Sequence, residues 1–193
     1  MPGTQPHRVN ALLLAFGSNM PGLWGRPCAT LSRACRELAR SGVEIVRCSS
    51  LYVTKPVGGG RQPRYLNAVV LAKSSLAPAQ MLRLVKQLER SAGRKQRERM
   101  GPRPLDIDIL DYGGRRVGRP AAVRRQGQLI LPHPGLQDRA FVLRPLLDVD
   151  PHWRHPVLRQ SAKALLARLG SAARAGVHQA LDLAASSCEK WPS

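Results

Sequence analysis

The chain has 193 residues, enough for one domain with a hydrophobic core that needs no disulfide or metal staples. Apolar residues make up 43% and charged residues 22%, a globular balance that excludes a disordered chain, and no apolar run reaches the roughly 18 residues of a membrane helix. The formal charge of +19 points to a polyanionic ligand or a strongly solvated basic surface, and by itself does not choose among nucleic acid, an acidic surface and a nucleotide triphosphate.

Residues 1–10 carry no apolar stretch of signal-peptide length, so the expected location is the cytoplasm. Residues 11–16 form a short apolar run that ends at Gly17-Ser18-Asn19, a strand entering a turn. Residues 28–40 place Leu31, Ala34, Cys35 and Leu38 at helical spacing, and Ser41-Gly42 stops them. Residues 43–53, with several β-branched side chains, read as a second strand, glycines 58–60 as a loop, and residues 65–71 as a third strand. Pro78 suits a helix start, and Met81, Leu82, Val85 and Leu88 make an apolar stripe before Gly93. A very basic loop follows, and residues 105–110 read as a fourth strand.

This order predicts an α+β fold with a ferredoxin-like βαββαβ core, a sheet carrying two helices on one face, and additional C-terminal strands and helices. Those additions are an apolar step at 129–131, the turn Pro132-His133-Pro134, helix on either side of Pro145 within 141–147, and an amphipathic helix at 158–169. An Ala/Ser-rich end follows, read as one weak helix and a frayed terminus. Residues 1–156 are expected to form the main domain, with its core at 10–151, and residues 157–193 a helix and tail packed on it or extending from it. The four cysteines form no C-x-x-C pair and are expected to be reduced, buried thiols.

Asp106 and Asp108 stand two residues apart in an apolar strand, so both carboxylates leave the same face while Ile107 goes to the other. Adjacent carboxylates in such a place need a compensating cation. Mg²⁺ suits them, since it is usually held by one or two carboxylates plus substrate phosphates. The other reading is a strand end whose acids pair with neighbouring arginines. Asp111 is out of phase with the pair and is expected to cap the strand or face water.

The segment just before contains Arg94, Lys95, Arg97, Arg99 and Arg103, five cations between Gly93 and the carboxylates. Arginine forks match phosphate oxygens in pairs, and phosphoryl transfer asks mainly for alignment and charge neutralisation. The loop lacks G-x-x-x-x-G-K-[ST], so it is not a P-loop. A third group comprises Thr54, Pro56, Val57, Tyr65 and Asn67. Tyr65 and Asn67 share a strand face, where an aromatic ring and a carboxamide could stack on a flat heterocycle and read its edge, with Phe141 as the opposite ring. Each of these singly is also a common core residue.

The segments AFGSN (15–19), SSLYVTKPVG (49–58), QPRYLNAVV (62–70), LERSAGR (88–94), GPRPLDIDIL (101–110) and LPHPGLQDRAFVLRPL (131–146) together resemble the hydroxymethyl-dihydropterin pyrophosphokinases of folate synthesis. They occur in family order from Leu12 to about Pro151. The resemblance implies attack of a pterin hydroxymethyl oxygen on the β-phosphorus of ATP, with release of AMP. It implies Asp106 and Asp108 as ligands of two Mg²⁺ ions, and Arg94 and Arg103 as stabilisers of transition-state charge. It implies a pterin site of Thr54, Pro56, Val57, Tyr65, Asn67 and Phe141. The ATP site would comprise Glu89, Arg97, Arg99, Arg103, Ile109, His133 and Arg139. The implied partners are ATP and the pterin alone, with no membrane and no specific nucleic acid, and the implied state is a monomer.

The chain departs from the family pattern at Gln96, where a second arginine is usual, and at Met100, where tryptophan is usual. Pro104 stands where threonine is common and Gln128 where arginine is common. Two other functions compete. A pterin- or nucleotide-binding paralogue without turnover would keep the pocket, yet binding alone would not call for the carboxylate pair. An RNA-binding ferredoxin-like module would need an aromatic-rich strand for base stacking, and the third strand offers only Tyr65.

Overall fold

The computed structural model describes residues 9–56, 62–95, 101–118, 128–179 and 191. Strand β1 (Asn10–Ser18) leads to helix α1 (Pro27–Arg40), then strands β2 (Glu44–Cys48), β3 (Tyr52–Thr54) and β4 (Tyr65–Ser74), helix α2 (Pro78–Ser91) and strand β5 (Asp106–Tyr112). The sheet order is β5-β1-β4-β3-β6, with β2 also paired to β4. All these pairings are antiparallel, and together they give the expected βαββαβ core.

Period-two alternation sends the residues of β1 and β4 to two different cores. Leu12, Leu14 and Phe16 of β1 join Leu66, Ala68 and Val70 of β4 against α1 and α2. Leu13 and Val69 face the other way, into a second core with helix α3 (Ala140–Val149) and helix α4 (Ala162–Arg168). Leu31 and Leu38 of α1, like Met81 and Val85 of α2, are essentially inaccessible. Full burial of each such side chain contributes on the order of 1.5–3 kcal/mol. Both helices begin with proline in their first turn, where its fixed φ fits and its missing N–H is not needed. The Gln80 side chain accepts the Ala77 N–H at 2.7 Å, satisfying one donor that the start of α2 leaves open.

The structure refines several expectations. The expected strand 43–53 is two strands, because the chain steps across at Ser49, whose hydroxyl accepts the Val69 N–H at 2.9 Å in place of a ladder bond. The segment is helical on either side of Pro145, as expected, and the helix runs through the buried proline without a break, from Ala140 to Val149. The expected helix 158–169 is shorter, Ala162–Arg168, because Ser161 caps it by accepting the Ala164 N–H at 3.1 Å. A short helix α5 (Ser171–Ala175) and strand β6 (Val177–Gln179) follow, and β6 pairs with β3.

Cys35 and Cys48 are buried and free, as expected, whereas Cys28 is disulfide-bonded. Asp111 does not face water. It is 7% exposed, accepts the Trp153 Nε1–H at 2.8 Å, and caps the strand end by accepting the Gly114 N–H at 3.0 Å. The cause is a register irregularity between Leu13 and Leu14 opposite β5, which turns Asp111 toward the second core. Among the described residues no helix is long and apolar enough to cross a membrane.

Candidate active site

Helix α3 covers only part of the second sheet face. Near its first turn the face stays open, as a cavity of about 430 Å³. Its lining includes Thr54, Pro56, Tyr65, Asn67, Arg103, Asp106, Asp108, Arg139 and Phe141. Each strand residue in that set is there by parity. Tyr65 and Asn67 alternate with Leu66 and Ala68, and Asp106 and Asp108 alternate with Ile107 and Ile109, which go to the helix side. Four stretches far apart in sequence thus converge because β1, β4 and β5 are neighbours.

Gly17 lies opposite both Asn67 and Asp106 in the β1 pairings. A Cβ there would stand 3.6 Å from Asn67 Oδ1, 3.8 Å from Tyr65 and 3.9 Å from Asp106, so its absence is what keeps the floor of the cavity open. The Asn67 carboxamide is oriented from behind. Its Nδ2 donates to Thr54 Oγ1 at 2.9 Å and to the Tyr52 carbonyl at 3.4 Å, which places Oδ1 on the Gly17 side.

At the other end of the cavity Arg94 and Arg103 each donate to Asp106 at 2.5 Å, one to each carboxylate oxygen. Arg139 donates to Asp108 at 3.3 Å, and His133 Nε2 lies 3.6 Å from the same oxygen. The His133 ring is held by its Nδ1, which accepts the Gly135 N–H at 3.2 Å, so Nε2 is the nitrogen turned toward Asp108. The Arg139 guanidinium also lies 5.8 Å from the centre of the Phe141 ring, joining the two ends of the cavity. Burial alone would raise the Asp106 carboxyl pKa. The guanidinium groups of Arg94 and Arg103 outweigh it and hold the group below the ordinary carboxylate range.

Glu89 and Ile109 are not among the residues that line this cavity. Glu89 is 3% exposed and lies behind the cavity, where its carboxylate accepts from Lys86 at 2.8 Å and from the Ile107 N–H at 2.9 Å, and pairs with Arg94 at 2.8 Å. Its position on the buried side of α2 makes it a support for Arg94. Ile109 points into the helix-side core by strand parity. Val57, Arg97 and Arg99 lie outside the described residues, as do Gln96 and Met100. Lys55, Gln62 and Asp138 line the cavity and were not singled out as site residues, although each lies within a segment that carries the family resemblance.

A profile of the 7,8-dihydro-6-hydroxymethylpterin-pyrophosphokinase family matches residues 13–151. The chain belongs to that family. Among its relatives, a 2-amino-4-hydroxy-6-hydroxymethyldihydropteridine pyrophosphokinase of Synechocystis is 35% identical over 156 residues, covering 80% of this chain and 74% of its own length. The corresponding Aquifex aeolicus protein is 37% identical over 150 residues, covering 78% and 86%. A mitochondrial folate synthesis bifunctional protein of Arabidopsis thaliana is 41% identical over 138 residues, 72% of this chain but only 23% of that protein. The chain therefore spans about a quarter of the bifunctional relative and most of the shorter pyrophosphokinases.

In fold, the chain is similar to a crystal structure of wild-type Plasmodium falciparum HPPK-DHPS with pteroate. The TM-score is 0.62 at 15% identity, over 85% of this chain and 43% of that one. The α+β fold of pyrophosphokinase domains is thus shared at low identity. The cavity lies in the part of the chain that the family profile covers.

The Asp106 and Asp108 carboxylates suit a hard divalent cation in donor type. Both line one cavity, from one strand face, with room beside them. Among the described residues no cluster of three or more His, Cys, Asp or Glu is placed to hold a metal. Around the pair the charges nearly balance without a metal. Lys86, Arg94, Arg103 and Arg139 face Glu89, Asp106 and Asp108, so a triphosphate would add negative charge that requires further cations.

Proposed function

We propose that the chain transfers the terminal diphosphate of ATP to the hydroxymethyl oxygen of a dihydropterin in folate synthesis. The observation that carries this reading is one cavity, with an aromatic and carboxamide end at Tyr65, Asn67 and Phe141 and a carboxylate and arginine end at Asp106, Asp108 and Arg103. In the proposed reaction the pterin oxygen bonds to the β-phosphorus as the bond to the α-phosphate oxygen breaks. The hydroxyl proton leaves to solvent, and AMP departs.

Tyr65 and Phe141 stack on the two faces of the pterin, and Asn67 Oδ1, with Thr54 behind it, accepts from its edge. Pro56 bounds the ring and Val57 offers backbone polar groups beside it. Asp106 and Asp108 would hold Mg²⁺, proposed as two ions. Bound there, the metal would supply positive charge to the β- and γ-phosphate oxygens. With the carboxylates so engaged, the guanidinium groups of Arg94 and Arg103 turn to the phosphates, joined by Arg97 and Arg99. Arg139 and His133 orient the nucleotide beside Asp108, and the backbone of Ile109 lies along it.

The rate comes from alignment and preorganised charge rather than from a strong base. In this reading residues 1–156 are the catalytic unit, and the protein acts as a cytoplasmic monomer.

The test is AMP release from ATP by purified protein, with and without hydroxymethyl-dihydropterin and Mg²⁺, beside an Asp106→Ala variant. AMP appearing only with both additions, and falling by about two to three orders of magnitude in the variant, supports the reading. Folded protein that binds the pterin without releasing AMP identifies a silent paralogue and rejects it.

A further inference from the structure

We infer that Asn19, at the end of β1, is a positioning residue that couples the pterin end of the cavity to its phosphate end. The inference rests on the proposed function, because it concerns how that site holds its two substrates at once.

Asn19 is 2% exposed and is not among the residues lining the cavity. Its backbone N–H donates to the Arg103 carbonyl at 3.1 Å, and its Oδ1 accepts the Arg103 N–H at 2.7 Å. These two bonds fix the backbone of the arginine whose guanidinium grips Asp106. The remaining side-chain atom reaches the opposite way. Asn19 Nδ2 donates to the Pro63 carbonyl at 3.3 Å and to Gln62 Oε1 at 3.4 Å. Pro63 precedes Tyr65 by two residues, and Gln62 itself lines the cavity. One buried carboxamide therefore spans the start of β4 and the approach to β5, and each of its polar atoms serves a different substrate end.

The residues after Asn19 strengthen the phosphate side. Leu23 N–H donates to the Ala92 carbonyl at 3.0 Å, at the end of α2 that leads to Arg94. A Cβ on Gly22 would stand 2.3 Å from that same carbonyl oxygen and 2.5 Å from Pro104 Cβ. The turn after β1 is thus wedged between residues 92 and 104, the two flanks of the arginine segment. Asn19 is the hydrogen-bonded link from Gln62 and Pro63 to the Arg103 backbone itself, beside the longer bond of the Tyr65 hydroxyl to the Gly101 carbonyl at 3.4 Å, and by thermodynamic reciprocity a coupling through it runs both ways.

Asn19→Asp separates the two halves. It keeps an acceptor for the Arg103 N–H and removes the donor to Gln62 and Pro63. The experiment is calorimetric titration of hydroxymethyl-dihydropterin in Mg²⁺, with and without α,β-methylene-ATP. The ratio of the two dissociation constants is the readout. Wild type is expected to bind the pterin about tenfold more tightly in the presence of the nucleotide analogue. Asn19→Asp should bring the ratio close to one, with the nucleotide-free pterin affinity within about threefold of wild type.

A purely structural role would lower both affinities and leave the ratio intact, and that result overturns the inference. Should Asn19→Asp fail to fold, Gln62→Leu removes one of the two acceptors of the same link, from its half-buried partner. It should lower the ratio part of the way, and an unchanged ratio again overturns the coupling. Wild type that binds both ligands with a ratio of one overturns the coupling alone. Wild type that binds neither ligand rejects the proposed function beneath it.

Discussion

The Glu89 carboxylate accepts the backbone N–H of Ile107 at 2.9 Å, which ties helix α2 to the strand between the two aspartates. Glu89 is buried and also pairs with Lys86 and Arg94, so it is the point where helix, arginine and strand are held in register. Glu89→Ala leaves a backbone donor and two cations without their acceptor. A loss of about 3–5 kcal/mol is expected, as for breaking one side of a buried ion pair, read by urea unfolding. Glu89→Gln keeps an acceptor for Ile107, so it should recover part of that stability while kcat stays low, because Arg94 loses its charged support.

Asp106 supplies a pH prediction whose sign is fixed by its environment. Its folded-state pKa is held down, because Arg94 and Arg103 outweigh burial. The stabilisation is therefore complete above the unfolded aspartate pKa of about 3.9 and is lost as pH falls toward the lower folded value. Asp106→Asn should be less stable than wild type at neutral pH, and the gap should close below about pH 4. Urea unfolding at a series of pH values checks it, and parallel stability curves would refute it. Glu89 titrates with the opposite sign, since burial raises its pKa and the Asp106 charge adds to the rise, so the comparison is made in a Glu89→Gln background, where only the Asp106 contribution remains.

Gly17→Ala tests the floor of the cavity. The new methyl would meet Asn67, Tyr65 and Asp106 at ordinary contact distances of 3.6 to 3.9 Å, so the fold should tolerate it. The same methyl occupies space assigned to the pterin ring. The expected result is a melting temperature near that of wild type, with pterin KM raised by roughly an order of magnitude, as for one methyl pressed into a filled site. An unchanged KM would place the ring elsewhere.

Asp111 and Trp153 offer a test away from the chemistry. Asp111→Ala strands the buried indole N–H, at a cost of about 1–3 kcal/mol, while the exposed Gly114 N–H turns to water. Asp111→Asn retains an acceptor and should lose less. Chemical unfolding followed by tryptophan fluorescence checks both. Diphosphate transfer, measured on the folded fraction, should change little.

The core elements were legible because their patterns are local. Leu31, Ala34 and Leu38 repeat at helical spacing, and Asp106 and Asp108 alternate with isoleucines, so both helix faces and the carboxylate pair follow from periodicity. Glu89 was harder. Nothing in the sequence distinguishes a carboxylate that faces a nucleotide from one that turns inward to meet Ile107, since the choice depends on how α2 packs on β5. Asp111 was misplaced because a one-residue irregularity in the β1 pairing reverses its face, and alternation cannot anticipate that. Helix on either side of Pro145 was legible from the apolar run, but its continuity through the proline was not, because local propensity disfavours it and the second core holds it together. Asn19 was seen only as a turn residue, because its partners at Gln62 and Arg103 lie 43 and 84 positions away.

Strand β6 lies beyond the residues that the family profile matches, yet it pairs with the three-residue β3 that presents Thr54. Without it, Tyr52 to Thr54 would offer a row of unused backbone donors and acceptors along the margin of the sheet. Such a margin is a template on which a second copy can add a strand. The short Val177–Gln179 segment takes up those groups and carries the sheet margin one strand outward, so the wall that presents Thr54 is braced by residues outside the stretch that defines the family.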